Sequence, residues 1–248
     1  MGNMLSEQEL ERYSRQIMLF GENGQQHLKN ANVFIAGAGG LGCPIALYLA
    51  VAGVGNLKMV DKDVVDRSNL NRQVLHWETD IGKEKVLSIE EKLRSINPDI
   101  DVDVFTKIID ISNVSELIAD ADVIVDAMDN YSTRYLLNQV AQEKGIPLIH
   151  GAVRGFDGQA TTIIPGKTAC LNCLFPSAPP GEIFPVVGVT AGLIAMVQAN
   201  EVIKYLVGTG EMLTDRLLIW NGLSAEIEYL KFKKRCDCII CSSYSDKS

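Results

Sequence analysis

The sequence predicts an α/β fold: a mostly parallel sheet with helices on both faces, extended by C-terminal antiparallel strands and a four-cysteine zinc site. Three observations carry this. Short apolar runs alternate with helical segments over the first 150 or so residues, the rhythm of a parallel sheet. A glycine-rich turn follows the first apolar run. Beyond about residue 155 the alternation gives way to strands, one long helix and paired cysteines.

The elements follow in order. Residues 7–19 have helical periodicity, with Leu10, Tyr13, Ile17 and Met18 able to share a face. Residues 31–36 (ANVFIA) stop at glycine and read as a buried strand. Residues 41–52 form a small-residue helix, and 57–60 a second strand that ends at Asp61. Residues 83–96 are an amphipathic helix stopped by Asn97-Pro98. Strands are expected at 101–106, 123–126 and 147–150, with a helix at 134–144 closed by Gly145. In the second half, 158–165, 217–220 and 226–232 read as strands, the last half exposed. Residues 176–185 read as a loop, 186–206 as a long helix, and the residues from 242 as a frayed tail.

Composition narrows the function classes. Hydrophobic residues make up 47% and charged residues 22% of 248, a globular balance that excludes disordered and fibrous chains. A net charge of −8 offers phosphate polyanions no general attraction, so nucleic-acid binding is not expected. Residues 1–15 lack the basic segment and apolar run of a signal peptide. The longest apolar stretch, 186–197, contains two glycines and a threonine and falls short of the ~20 residues that span a bilayer. A cytoplasmic protein without a membrane partner is expected. Its cysteines are then metal ligands or thiols before they are disulfides.

Gly37-Ala38-Gly39-Gly40-Leu41-Gly42 fits GxGxxG, directly after a strand and opening a helix. Glycines let the backbone approach phosphates, and the helix N-terminus adds N–H groups and a positive dipole. Asp61 ends the next strand, where a carboxylate accepts hydrogen bonds from ribose hydroxyls. The bland alternative is a turn without ligand. The nucleotide is left open, since NAD and FAD satisfy this pattern equally well.

Asp63, Asp66, Asn69, Arg72, Gln73 and Lys85 crowd the segment after the second strand, on the sheet edge where open α/β folds bind ligands. Arg72 and Lys85 can neutralise a triphosphate, and Asp129 can hold Mg²⁺. A solvated charge-rich loop is the competing reading.

Of six cysteines, Cys170 and Cys173, and Cys238 and Cys241, form two CxxC pairs. Four thiolates make a closed tetrahedral Zn²⁺ site that stabilises without catalysing. Cys43 reads as a packed core thiol. Cys236 is a competing ligand or a spare thiol.

Together these residues resemble the MoeB/ThiF/HesA adenylyltransferases, the bacterial and archaeal relatives of ubiquitin-activating enzymes. The resemblance runs from about Arg12 to Cys241, through ERYSRQ (11–16), GAGGLG (37–42), MVDKDVVDRSNLNRQ (59–73), the lysine of GKEKV (Lys85), DAMDN (126–130), CLNCLFP (170–176), PVVGV (185–189) and CIIC (238–241). It implies a Rossmann-like ATP-binding part at 31–155. A helical segment at 1–30 would make dimer and ATP contacts, 156–241 would complete the same single domain with the zinc knuckle, and 242–248 would be a tail. The resemblance implies ATP contacts from the glycine turn (Gly37, Gly39, Gly40, Leu41, Gly42) and from Asp63 and Asn130. It implies that Asp61 holds the ribose, that Asn69, Arg72, Gln73 and Lys85 contact phosphates, and that Asp129 is the Mg²⁺-directed acid. Arg15 would reach the other subunit's site in a homodimer. The four CxxC cysteines would bind zinc.

The implied reaction is ATP-dependent activation of a carboxylate as an acyl-adenylate with release of pyrophosphate. The implied substrate is the C-terminal glycine of a ubiquitin-like sulfur-carrier protein, with a further protein as sulfur donor or acceptor. Many relatives carry a cysteine in the loop after the first CxxC. Here residues 174–184 (LFPSAPPGEIF) contain none, so adenylation alone is expected. The alternatives are adenylation of another carboxylate, such as a cofactor precursor or a tRNA-linked acid, a NAD(P)-dependent oxidoreductase, and a non-catalytic partner subunit.

Overall fold

The computed structural model describes residues 4–178 and 184–242. Eight strands form one sheet in the order β3-β2-β1-β4-β5-β6-β7-β8. The first five are parallel: β1 (Asn32–Ala36), β2 (Asn56–Val60), β3 (Asp101–Phe105), β4 (Val123–Asp126) and β5 (Leu148–Arg154). β6 (Asp157–Ile163), β7 (Arg216–Asn221) and β8 (Glu226–Lys231) continue it antiparallel.

The apolar runs become strands because they are buried on both sides. Val33 and Ile35 of β1, with Val123 and Val125 of β4, enter one core, and Phe34 and Ile124 enter the other. This is the two-residue alternation of a pleated strand. α3 (Gly42–Ala52), α4 (Lys85–Ile96) and α8 (Gly188–Val207) cover the first face. α5 (Val114–Ile118), α6 (Tyr131–Lys144) and α7 (Leu171–Leu174) cover the second, together with the CxxC cysteines. Strand order reverses between β1 and β4, where Ala36, Val60 and Asp126 end β1, β2 and β4 in register, with His150 of β5 beside Asp126. That edge is where open α/β sheets bind ligands.

The N-terminal helix differs from the expected 7–19. α1 (Glu7–Arg12) stops at Tyr13, and α2 (Ser14–Asn30) runs on with a kink at Gly21. A capping box between Ser6 and Glu9 starts α1. Tyr13 is buried, and its hydroxyl accepts from Asn97 Nδ2 at 2.8 Å, which anchors the break. Met18, expected on the buried face, is 79% exposed.

Other bounds shift modestly. β5 extends to Arg154, and α6 begins at Tyr131. α5 gave too short a periodic signal to be predicted. The 226–232 strand was expected to be half exposed, yet every residue of β8 is exposed. Its alternation is genuine, but it is the sheet's edge strand, and neither face is covered among the described residues. The expected loop at 176–185 lies partly outside the described residues, and so does the expected tail at 242–248, all but its first residue.

Candidate active site and metal centre

The glycine turn is shaped by steric necessity. Gly37 has φ +103°, and a Cβ there would lie 2.7 Å from the Ala127 carbonyl oxygen. A Cβ on Gly42 would lie 1.9 Å from the Gly37 oxygen, so the turn closes only without side chains. Leu41 leads into α3 with no side-chain cap. Cys43 N donates to the Gly39 oxygen at 2.9 Å and Pro44 has no N–H, so the Leu41 and Gly42 amides are the ones left for an anion.

Asp61 is already engaged. Its Oδ2 accepts from Ala38 N at 2.8 Å and its Oδ1 from Asp63 N at 2.8 Å. The carboxylate thus braces the turn, and its remaining lone pairs are available to ribose hydroxyls.

The 61–85 segment folds back over the turn. A Cβ on Gly39 would sit 3.7 Å from Gln73 Nε2, and one on Gly40 3.5 Å from Arg72 Cγ. Gln73 is buried, and its Oε1 has no hydrogen-bond partner. Gly188, the first residue of α8, abuts the Asn71–Arg72 backbone, where a Cβ would come within 2.6 Å of the Asn71 oxygen. Arg72 Nη1 donates to Ser68 O at 2.9 Å and to Asn71 Oδ1 at 3.0 Å. Asn69 caps this segment through Asp66 N.

Lys85, at the start of α4, is buried and pairs with half-exposed Asp63 at 3.0 Å. Asp63 was expected to contact the nucleotide. In the structure it holds a lysine. Across the switch point, Asp129 is exposed, beside Asn130, whose Oδ1 accepts from Thr133 N and so caps α6. The cradle left by Gly39 and Gly40, two cations and an exposed carboxylate fit a Mg²⁺-bound polyphosphate. Arg15 is exposed on α2. Among the described residues it makes no contact with this cluster.

Two buried polar groups escaped the sequence reading. His150 Nδ1 lies 2.6 Å from Asp126 Oδ2, with Arg134 Nε at 3.6 Å from the same oxygen. His76 lies beneath the glycine turn, 3.0 Å from the Ala38 oxygen. Burial pushes the pKa of both imidazoles down, against the hydrogen bond to Asp126 in one case and to Ala38 in the other. Single histidines carry no periodic or spacing signal, so only the assembled structure reveals them.

Cys170, Cys173, Cys238 and Cys241 converge, all buried, with their sulfurs within 4.8 Å of one another. The sulfur–sulfur separations of 4.0, 3.6 and 3.4 Å are close to the ~3.8 Å edge of a tetrahedron with Zn–S bonds of about 2.3 Å. The donor set and spacing fit zinc. Cys236 is exposed and outside this quartet. Cys43 is a buried core thiol whose pKa burial pushes up to about 12, so it stays protonated.

No helix among the described residues is long and apolar enough to cross a membrane.

Comparison with known proteins agrees with this geometry. The ThiF family model matches residues 13–240. The SAMP-activating enzyme E1 of Haloferax volcanii is 45% identical over 241 residues, 94% of this chain and 89% of that protein. The adenylyltransferase and sulfurtransferase MOCS3 of Arabidopsis thaliana is 40% identical over 97% of this chain, which spans 54% of that protein's length. Among solved structures, E. coli MccB with ATP superposes with a TM-score of 0.85 at 25% identity, covering 93% of this chain and 74% of that one. PaaA gives 0.82 at 25% identity, covering 95% and 77%. The chain belongs to the ThiF family and is one of its E1-like adenylyltransferases.

Proposed function

We propose that this adenylyltransferase activates the C-terminal glycine carboxylate of a ubiquitin-like sulfur-carrier protein. One observation carries the reading: Arg72 and Gln73 fold over the side-chain-free glycine turn, with the buried Lys85–Asp63 pair on the same segment. The relatives named as activating enzyme and adenylyltransferase support the carrier as substrate.

A carboxylate oxygen attacks the α-phosphorus of ATP. A new O–P bond forms, the bond to the β-phosphate bridge breaks, and pyrophosphate leaves with the electron pair. The enzyme's task is to hold two anions together and screen their repulsion. Arg72 and Lys85 supply positive charge, and Asp63 keeps Lys85 in place. The Leu41 and Gly42 amides receive phosphate oxygens, Asp61 and Asn69 take ribose and phosphate, and Asn130 steadies the loop that carries Asp129. Asp129 would hold Mg²⁺, which supplies charge neutralisation when bound.

Residues 31–155 are read as the ATP-binding part, 1–30 as the dimer and ATP-contact segment, and 156–241 as the remainder of one domain. A homodimer is supported by apolar side chains that one chain leaves uncovered. Met18 and Leu19 are exposed on α2, and exposed Tyr48 and Val51 line a groove with Met196 and Ile203. Arg15 lies on the same helix and would reach the partner's site. Four buried cysteines suited to zinc fit a reducing, cytoplasmic setting.

The segment 174–184 has no cysteine, so the acyl-adenylate passes to a nucleophile on another protein. The test is ATP–pyrophosphate exchange with purified carriers and with small acids. Carrier-dependent exchange supports the reading, and exchange with a small carboxylic acid alone replaces the substrate. A DTT-sensitive enzyme–carrier adduct on Cys43 or Cys236 would overturn the adenylation-only step.

A further inference from the structure

Beneath the glycine turn runs a chain of buried polar groups that the activation chemistry does not use. His76 Nε2 lies 3.0 Å from the Ala38 carbonyl oxygen, and His76 Nδ1 lies 2.9 Å from Ser88 Oγ. Ser88 Oγ is 2.9 Å from Lys92 Nζ, which also donates to the Ser88 carbonyl at 3.0 Å and pairs with Asp80. All five residues are buried, with His76 4% and Ser88 0% exposed.

Donor and acceptor accounting fixes the direction of this chain. A carbonyl oxygen only accepts, so His76 Nε2 carries the hydrogen. In the neutral ring Nδ1 is then an acceptor, and it accepts a hydrogen bond from the Ser88 hydroxyl at 2.9 Å in preference to the more distant Leu75 carbonyl at 3.4 Å. The Ser88 oxygen accepts from Lys92, whose charge is balanced by Asp80. Asp80 is in turn held by Trp77 N at 2.8 Å. On its other side, the Ala38 N–H donates to Asp61 at 2.8 Å. Both polar groups of Ala38 are thus fixed by side chains, one from the end of β2 and one from the segment between Gln73 and α4.

We propose that His76 is a positioning residue that holds the glycine turn in its nucleotide-binding shape by donating its Nε2 hydrogen to the Ala38 carbonyl. The proposal rests on ATP lying over that turn. His76 ties three parts of the site together: the turn through Ala38, the Asn69–Gln73 segment through the chain itself, and α4, which carries Lys85, through Ser88.

The neutral ring is the competent form. Protonation would place a hydrogen on Nδ1, facing a hydroxyl that then has to surrender its own donor direction. The charged and titratable groups around the ring are Lys85 and Lys92 from α4, Asp80 from the segment before it and Cys43 from α3. The two lysines oppose an added positive charge, and burial acts the same way. Acid that does charge the ring turns the Ser88 hydroxyl toward the Leu75 carbonyl at 3.4 Å and sets a cation beside the two lysines, which favours the ring leaving its place and loosens the turn.

The experiment is calorimetric titration of MgATP into wild type, His76→Gln and His76→Ala between pH 5.5 and 8, with thermal melts to confirm folding. A glutamine amide keeps a donor near the Nε2 position and does not titrate. At pH 7.5 the Gln variant is expected to bind within about threefold of wild type, and the Ala variant at least about tenfold more weakly, because the Ala38 oxygen then keeps only the weak Cys43 thiol donor at 3.4 Å. Below pH 6 wild type weakens more steeply than the Gln variant. The ligand's own protonation is common to both, so the difference reports the ring.

An Ala variant that is folded and binds as wild type overturns the inference. So does a Gln variant with the full wild-type acid loss. Either result leaves the functional reading intact, because wild type still binds. Wild type that ignores millimolar MgATP overturns the functional reading, and this inference with it.

Discussion

His150 and Asp126 face each other in register on β4 and β5, 2.6 Å apart and both fully buried. Asp126 Oδ1 also accepts from Met128 N at 3.0 Å, so the pair holds the start of the loop that ends in Asp129. Arg134 completes the cluster at 3.6 Å. Removing one member leaves a buried charge short of a partner. His150→Ala is predicted to cost about 3 kcal/mol, read as a lower urea midpoint with unchanged slope.

The two buried histidines predict acid sensitivity. Burial holds the pKa of His76 and His150 below the ordinary value. Near pH 6 the unfolded chain therefore binds more protons than the folded one, and stability rises with pH. Their contribution is fully present above the unfolded value of about 6.5 and is lost as pH falls from there through the folded values. Each histidine contributes a slope of up to about 1.4 kcal/mol per pH unit. Urea midpoints should fall between pH 7.5 and 5.5, and less so in His76→Gln.

Arg72→Ala and Lys85→Ala are each predicted to lower ATP–pyrophosphate exchange by about 10²-fold or more, the scale of a lost charge-stabilising group. Asp63→Asn should have a smaller effect, because Asp63 acts by holding Lys85. Asp129→Ala should abolish exchange. Circular dichroism should show all four folded, since Arg72, Asp63 and Asp129 lie outside both cores and Lys85 only borders one. Full exchange in the Asp129 variant would refute its role.

Elemental analysis should find one zinc per chain. The quartet joins Cys170 and Cys173 near α7 to Cys238 and Cys241 at the end of the described chain. Stripping the metal with a chelator should lower the melting temperature and expose residues 233–242 to protease. Cys173→Ser should do the same, while Cys236→Ser, outside the quartet, should leave metal content unchanged.

Leu19 is 85% and Met18 79% exposed, more than an isolated surface helix has reason to show. Leu19→Asp combined with Tyr48→Asp is predicted to give monomers in sedimentation at micromolar concentration. A wild type that is already monomeric there would remove the composite site and the role assigned to Arg15.

Much of the fold was legible in the chain because its signals are local. An apolar run that stops at Gly37 can only be a strand meeting a turn, and the periodicity after Lys85 can only be a helix with one buried face. The candidate site was legible in part, since the glycine turn and the paired cysteines are defined by spacing. The pairing of Asp63 with Lys85 was not legible because Lys85 lies a helix start away. Tyr13 was taken as one more helical residue because its anchor, Asn97, lies beyond α4. The exposure of β8 was hidden because alternation reports which side chains are apolar and says nothing of what covers them.

By itself the sequence determined the alternation of the strands with the longer helices, the glycine turn and the four-thiol ligand set, since each depends on residues that are neighbours or nearly so. Only the tertiary structure decided that His76 lies under Ala38, that Asp126 meets His150, and that Lys85 is held by Asp63. Those contacts are set by sheet order and by how helices pack on it, and burial then turns each into a strong constraint, because a buried polar group without a partner is too costly to keep.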